Sequence, residues 1–224
     1  MPARMIEVKR NVLERNDRVA EEVRQRLDEA GVTAFNLISS PGAGKTTLLE
    51  RTLEKLEREI PVAVITGDPQ TLNDAERLAR RTARIVPAIE AGEGGCHLVA
   101  AQVREALDVI DLDDVRLLFI ENVGNLLCPA EFDLGETAKV VVFSVTEGED
   151  KPVKYPLAFR EARYAILNKV DLLPYLDFDL EQAVTFTRQV NPGLELFFTS
   201  ARTGKGLERW FDLLRRSARM PVAC

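Results

Sequence analysis

One stretch constrains this chain more than any other: Ser39-Ser40-Pro41-Gly42-Ala43-Gly44-Lys45-Thr46-Thr47, set between an apolar run and the start of a helical pattern. It is a Walker A loop with one departure, since Ser39 stands where the first Gly usually does. The chemistry survives that change. Gly42 and Gly44 let successive backbone N–H groups turn toward phosphate oxygens, and the helix N-terminus adds its positive dipole. Lys45 is placed to neutralise the β- and γ-phosphates, and Thr46 to offer a hydroxyl to Mg²⁺. A plain glycine turn has no use for Lys45.

Such a loop needs a strand before it and a helix after it, and the rest of the chain repeats that alternation. Apolar runs rich in Val, Ile and Phe fall at 34–39, 62–66, 84–89, 116–121, 139–145, 163–167 and 195–199. Helical periodicity fills about 45–58, 71–82, 97–109, 154–162, 179–190 and 206–218. The strands are almost continuously apolar, as in a sheet covered on both faces. The pattern predicts an α/β fold with a mostly parallel, seven-stranded, doubly wound sheet. Residues 6–30 read as an amphipathic helix, with Val12, Val19, Val23 and Leu27 near helical spacing and Gly31 as its stop. The expected organisation is a packed N-terminal helix over 1–32, one domain over 33–218 and a short tail over 219–224.

Composition excludes several function classes. The 30 Lys+Arg against 36 Asp+Glu give a net charge of −6, unsuited to a nucleic-acid or anionic membrane surface. No run approaches 18 uninterrupted apolar residues, so no membrane span is expected. The N-terminus is charged throughout and does not read as a signal peptide. Three widely spaced cysteines argue against a disulfide framework and for a reducing, cytosolic setting.

In such sheets ligands sit at the carboxyl ends of the strands, so the residues just past each run matter most. Asn168-Lys169-Val170-Asp171 matches Asn-Lys-x-Asp, the guanine-specificity motif. Asp171 is able to accept from guanine N1–H and N2–H₂ together, which adenine cannot offer, while Lys169 lies along the base. Thr199-Ser200-Ala201 resembles the companion loop at guanine O6. Glu121-Asn122-Val123-Gly124 has the form of Asp-x-x-Gly with Glu for Asp. Its carboxylate would serve Mg²⁺ and the Gly124 N–H the γ-phosphate. Asn125 stands where Ras-like proteins carry the water-orienting Gln, so intrinsic GTP hydrolysis to GDP is expected to be slow, on the order of 10⁻⁴ to 10⁻² s⁻¹. Asp68, in Thr66-Gly67-Asp68, is placed to reach the metal or the attacking water, with helix capping as the alternative; Asp74 is a weaker candidate.

A second chemistry lies between these motifs. The sole histidine, His97, follows Cys96, and Cys128 comes four residues after Gly124. Thiolate and imidazole suit Ni²⁺ or Zn²⁺ and not Mg²⁺. On the residues alone, two structural thiols and an incidental histidine remain an equal reading. Cys224 reads as a frayed terminal thiol.

Taken together, the Walker A loop, Gly67-Asp68 with Asp74-Ala75-Glu76-Arg77, Cys96-His97-Leu98, Glu121-Asn122-Val123-Gly124-Asn125-Leu126 with Cys128-Pro129, Thr146-Glu147-Gly148-Glu149-Asp150-Lys151-Pro152 and Asn168-Lys169-Val170-Asp171 resemble the hydrogenase nickel-incorporation GTPases, the HypB family. The resemblance covers nearly the whole chain. It implies a G domain of the signal-recognition and MinD-like class, acting as a metallochaperone for the large subunit of [NiFe] hydrogenase. It assigns Cys96, His97 and Cys128 as ligands to Ni²⁺ or Zn²⁺. It also implies a GTP-dependent homodimer and contacts with other hydrogenase maturation factors. The Cys-x-x-Cys-Gly-Cys or histidine-rich N-terminal tract of some members is not found here, and the loop before Cys96, with Gly92, Gly94 and Gly95, lacks the expected Thr. Urease accessory GTPases are similar but usually carry Cys-Pro-His. A regulatory GTPase with a structural zinc is the remaining alternative.

Overall fold

The computed structural model describes residues 2–67, 78, 82, 84–87 and 95–218. Its centre is a seven-stranded sheet: β1 (Thr33–Ser39), β2 (Val62–Thr66), β3 (Ile85–Pro87), β4 (Leu117–Glu121), β5 (Ala138–Ser144), β6 (Tyr164–Asn168) and β7 (Glu195–Phe198). The strand order is β3-β2-β4-β1-β5-β6-β7, and every pairing is parallel. The mostly parallel sheet expected from the sequence is thus wholly parallel among the described strands. β1 lies at the middle, with β4 and β5 on its two sides, so the loops leaving β1 and β4 open onto one crevice.

Successive residues of a strand face opposite layers, and the continuous apolar runs follow from that. In β2, Val62 and Val64 join one core while Ala63 and Ile65 join the other. The first core packs Phe35, Phe119 and Phe197 against Leu49 and Leu53 of α2 (Lys45–Leu56) and Trp210 of α8 (Leu207–Ser217). The second packs the sheet against α1 (Pro2–Ala30) and α3 (Ala100–Leu107). A third core lies under α4 (Cys128–Glu131), α6 (Pro156–Glu161) and α7 (Leu180–Val190). No described helix is long and apolar enough to cross a membrane.

Several boundaries differ from the sequence reading. The helix expected at 154–162 is two short ones, α5 (Lys151–Lys154) and α6, because Tyr155 precedes Pro156 and is forced out of helical geometry, at φ −123° and ψ 55°. The helix expected from 97 begins only at Ala100, leaving Cys96 and His97 in the preceding loop. On α1, Val12 is 51% exposed; the buried stripe runs instead through Asn16, Ala20, Val23 and Leu27. Asn16 earns that position by hydrogen bonding, accepting from the Ala100 N–H at 2.9 Å and donating to the Asp133 carbonyl at 2.7 Å. The helix expected at 71–82 lies outside the described residues apart from Leu78 and Thr82, as do Asp68, Asp74 and Cys224.

Candidate functional site

The Walker A loop leaves the central strand and turns into α2 through Gly44, which has φ +95°. A Cβ at this residue would collide with the Asn168 side chain, so glycine is required both by the backbone and by the neighbour. That collision point shows how closely the phosphate loop and the end of β6 approach. Asn168 Nδ2 donates to the Ala43 carbonyl at 2.9 Å, and Lys169 Nζ donates to the Gly42 carbonyl at 2.6 Å. Lys169 takes a left-handed backbone, φ +62°, the only such non-glycine residue described.

Asn168 also fixes the 199–201 loop. Its Oδ1 accepts from the Ala201 N–H at 3.0 Å and from the Thr199 hydroxyl at 3.3 Å. The Ser200 hydroxyl takes the Thr203 N–H at 3.1 Å and closes the turn. Asp171 follows on a 3₁₀ turn, Val170–Tyr175, which the sequence reading did not anticipate; its Oδ1 is buried without a hydrogen-bond partner. A buried acceptor with no donor is costly.

At the other end of the crevice, β4 delivers Glu121 beside the Walker A residues. Lys45 Nζ lies 3.1 Å from Glu121 Oε1 and donates to the Asn122 carbonyl at 2.6 Å. Thr46 Oγ1 donates to the same Oε1 at 2.6 Å, while Glu121 Oε2 is buried and unpartnered. Lys45 is 8% exposed and Glu121 1%, so this is an ion pair in a nearly dry setting. Gly124 sits over the phosphate loop, where a Cβ would stand 3.4 Å from Pro41.

Beyond Gly124 the chain reaches Cys128, and there it meets Cys96 and His97: the three ligand atoms lie within 4.8 Å of one another. Cys96 Sγ and His97 Nδ1 are 3.3 Å apart. The hydrogen bond between the two thiols, with burial adding to it, holds the Cys96 thiol above its ordinary pKa. Burial lowers the His97 pKa, only partly opposed by Glu131, and its ring lies 4.0 Å from that of Phe132. His97 is therefore neutral and its nitrogen lone pair available at neutral pH. Asn125 Nδ2 donates to the Cys96 carbonyl at 3.2 Å and ties the Cys96 segment to the loop that leads to Cys128.

The sequence reading passed over Asn36 and Asn122. Both are buried, at 0% and 1% exposure, and they hydrogen-bond to one another. A lone Asn inside the apolar run Ala34-Phe35-Asn36-Leu37-Ile38 was the available signal.

The chain is similar to known proteins in sequence and in fold. The CobW/HypB/UreG nucleotide-binding domain family matches residues 33–198. Hydrogenase maturation factor HypB of Escherichia coli K12 is 53% identical over 94% of this chain and 72% of its own length. The structure of HypB from Archaeoglobus fulgidus superposes with a TM-score of 0.85 at 39% identity, covering 92% of this chain and 100% of that one. HypB from Helicobacter pylori, solved in complex with nickel, gives a TM-score of 0.85 at 34% identity over 92% and 95% of the two chains. The signal recognition particle 54 kDa protein of Aeropyrum pernix, at 12% identity and a TM-score of 0.55, shares the fold over 84% of this chain and 49% of its own. With a Walker A loop, a Glu-x-x-Gly loop and an Asn-Lys-x-Asp turn on one parallel sheet, and with relatives of this identity along nearly its whole length, the chain belongs to the HypB family of hydrogenase maturation factors.

Proposed function

We propose that this chain is a GTP-hydrolysing metallochaperone whose nickel or zinc site, Cys96, His97 and Cys128, is coupled to the nucleotide for insertion of nickel into [NiFe] hydrogenase. The observation that carries this reading is the stretch of chain that two chemistries share. Three soft ligand atoms gather within 4.8 Å, and one comes from the loop that starts at Glu121, the partner of Lys45 and Thr46.

Phosphates would lie across the backbone N–H groups of Gly42, Ala43, Gly44, Lys45, Thr46 and Thr47 at the N-terminus of α2. Glu121 and the β/γ-phosphates then compete for the Lys45 ammonium, so nucleotide binding draws Lys45 from the carboxylate. Guanine is read by Asn168, Lys169 and Asp171, with Ser200 and Ala201 closing the loop beside it. The orphaned Asp171 Oδ1 supports this, because guanine N1–H or N2–H₂ supplies the missing donor. The residues fit Mg²⁺ as well: the Thr46 hydroxyl and the unpartnered Glu121 Oε2 are hard oxygen donors. Bound Mg²⁺ would supply charge neutralisation for the phosphates; Thr46 and Glu121 would hold it, with Asp68 as the further candidate from the sequence.

Hydrolysis transfers the γ-phosphoryl group to water and releases GDP. Lys45 stabilises the charge that develops, and Gly124 donates its N–H to the γ-phosphate. Asn125 is committed elsewhere, donating to the Cys96 carbonyl and accepting from the Leu127 N–H at 2.9 Å, which supports a slow intrinsic rate. Nickel is the cargo. Three ligands per chain leave a coordination position for the donor or acceptor of the metal, or for the second copy in a GTP-dependent homodimer. Other hydrogenase maturation factors and the hydrogenase large subunit are the partners, in the cytoplasm. Titration of Ni²⁺ and Zn²⁺ in the presence of GDP and of a non-hydrolysable GTP analogue tests the reading. An affinity difference of about tenfold is expected. Identical affinities would leave a regulatory GTPase with a structural zinc.

A further inference from the structure

The two chemistries are joined by one buried residue. Asn122 offers its main chain to the phosphate side, the carbonyl accepting from Lys45 Nζ at 2.6 Å and the N–H donating to the Leu37 carbonyl of β1 at 3.1 Å. Its side chain serves the metal side. Oδ1 accepts from the Leu98 N–H at 3.2 Å, and that amide belongs to the same peptide unit as the His97 carbonyl. Oδ1 takes the Val123 N–H as well, at 2.9 Å.

The carboxamide has no freedom to turn. Nδ2 donates to Asn36 Oδ1 at 3.2 Å, and Asn36 Nδ2 donates in turn to Glu136 Oε1 at 3.2 Å. Glu136 is pinned by the Leu134 N–H on its other oxygen at 2.7 Å. Each link pairs a donor with an acceptor inside the core, where an unmade hydrogen bond is expensive. A displacement of the Asn122 backbone must therefore be followed by the Leu98 amide or cost the bond.

From this geometry we infer that Asn122 is the positioning residue that transmits the Lys45 environment to the His97 ligand segment. The inference deepens the coupled reading above and rests on it. When Lys45 leaves Glu121 and the Asn122 carbonyl for phosphate oxygens, the constraint on the Asn122 main chain changes. The Asn122 side chain carries that change to the peptide beside His97. An Asn that merely capped Leu98 would hold His97 equally well with either nucleotide.

The discriminating quantity is the ratio of Ni²⁺ affinities measured with GDP and with the GTP analogue, not either affinity alone, because a loosened fold lowers both together. In the unmodified chain a ratio of about ten is expected. Asn122→Ala and the near-isosteric Asn122→Leu, which make neither the Leu98 nor the Asn36 hydrogen bond, should each bring the ratio to within about twofold of one. A ratio of one in the unmodified chain would remove the coupled reading itself. A ratio of ten in both the unmodified chain and Asn122→Ala would leave that reading standing and remove Asn122 from it. Should the variants fail to fold, amide hydrogen exchange of Leu98 in the unmodified chain decides: exchange that differs between GDP and the analogue supports the relay, and equal exchange overturns it.

Discussion

Thr46 and Glu121 meet through a 2.6 Å hydrogen bond in which the hydroxyl donates to one carboxylate oxygen, while the other oxygen of Glu121 is buried without a partner. One strand end thus supplies both the acceptor that holds the Walker A side chains and a second carboxylate oxygen left without a hydrogen-bond partner. The arrangement joins the Walker A side chains Lys45 and Thr46 to the strand end from which the loop toward Cys128 departs.

Lys45→Ala should abolish GTP turnover and destabilise the fold at once. Lys45 is the cationic partner of a carboxylate that is only 1% exposed, and breaking a buried pair by removing one member typically costs about 3–5 kcal/mol. Lys45→Met combined with Glu121→Gln should recover most of that loss, because no charge is stranded, yet remain inactive. Urea denaturation of the single and double variants alongside phosphate release separates the two effects. A single variant as stable as the parent would show that the pair is already screened by solvent.

Asp171→Asn should weaken GTP and favour xanthosine triphosphate, whose carbonyl at the 2-position matches an amide donor where guanine presents an amine. Competition binding with GTP, ATP and xanthosine triphosphate checks this. Comparable affinities of the parent for GTP and ATP would sink the guanine assignment.

The sheet and the nucleotide motifs were legible because each is a local pattern: apolar strands bounded by helical periodicity, and short motifs at strand ends. The grouping of Cys96, His97 and Cys128 was legible only as two sequence neighbours and a distant cysteine. What brings Cys128 to Cys96 is the path of the chain after β4, which no local pattern encodes. The Asn36–Asn122 bond is illegible in the sequence for the same reason, since a buried polar residue reveals its partner only when two strands lie side by side. The break at Tyr155 was readable in principle from Pro156, but helical periodicity on either side of it masked the boundary.

A GTP analogue should promote a homodimer across the nucleotide face. Lys151 and Lys154 are the first and last residues of α5, after β5; Lys151 is held 3.0 Å from Glu147, while Lys154, 2.8 Å from Asp150, keeps 60% of its side chain exposed. Lys154 is thus the better placed to lend charge to a partner's nucleotide, and Lys154→Ala should weaken the nucleotide-dependent dimer. Light scattering with GDP and with the analogue measures this; one mass throughout would count against it.

Metal binding should release protons and strengthen as pH rises. The Cys96 thiol is held above its ordinary pKa by its hydrogen bond with Cys128, so at neutral pH it is protonated and must lose that proton to bind as thiolate. His97 lies on the other side of the balance: burial lowers its pKa, so it is already neutral at pH 7 and contributes no proton there. Affinity should therefore climb from neutral pH toward the raised thiol pKa, and should fall again on the acid side once pH drops through the lowered His97 value and the imidazole charges. Calorimetry in two buffers of different ionisation enthalpy counts the protons released on adding Zn²⁺ or Ni²⁺. Cys96→Ala, His97→Ala and Cys128→Ala should each weaken both metals, and in Cys96→Ala the released protons should decrease in number while GDP still binds. The same proton count in Cys96→Ala as in the parent, or parental affinity in Cys128→Ala, would mean that the cluster seen within 4.8 Å is a packing contact between thiols and an imidazole and that the metal binds elsewhere.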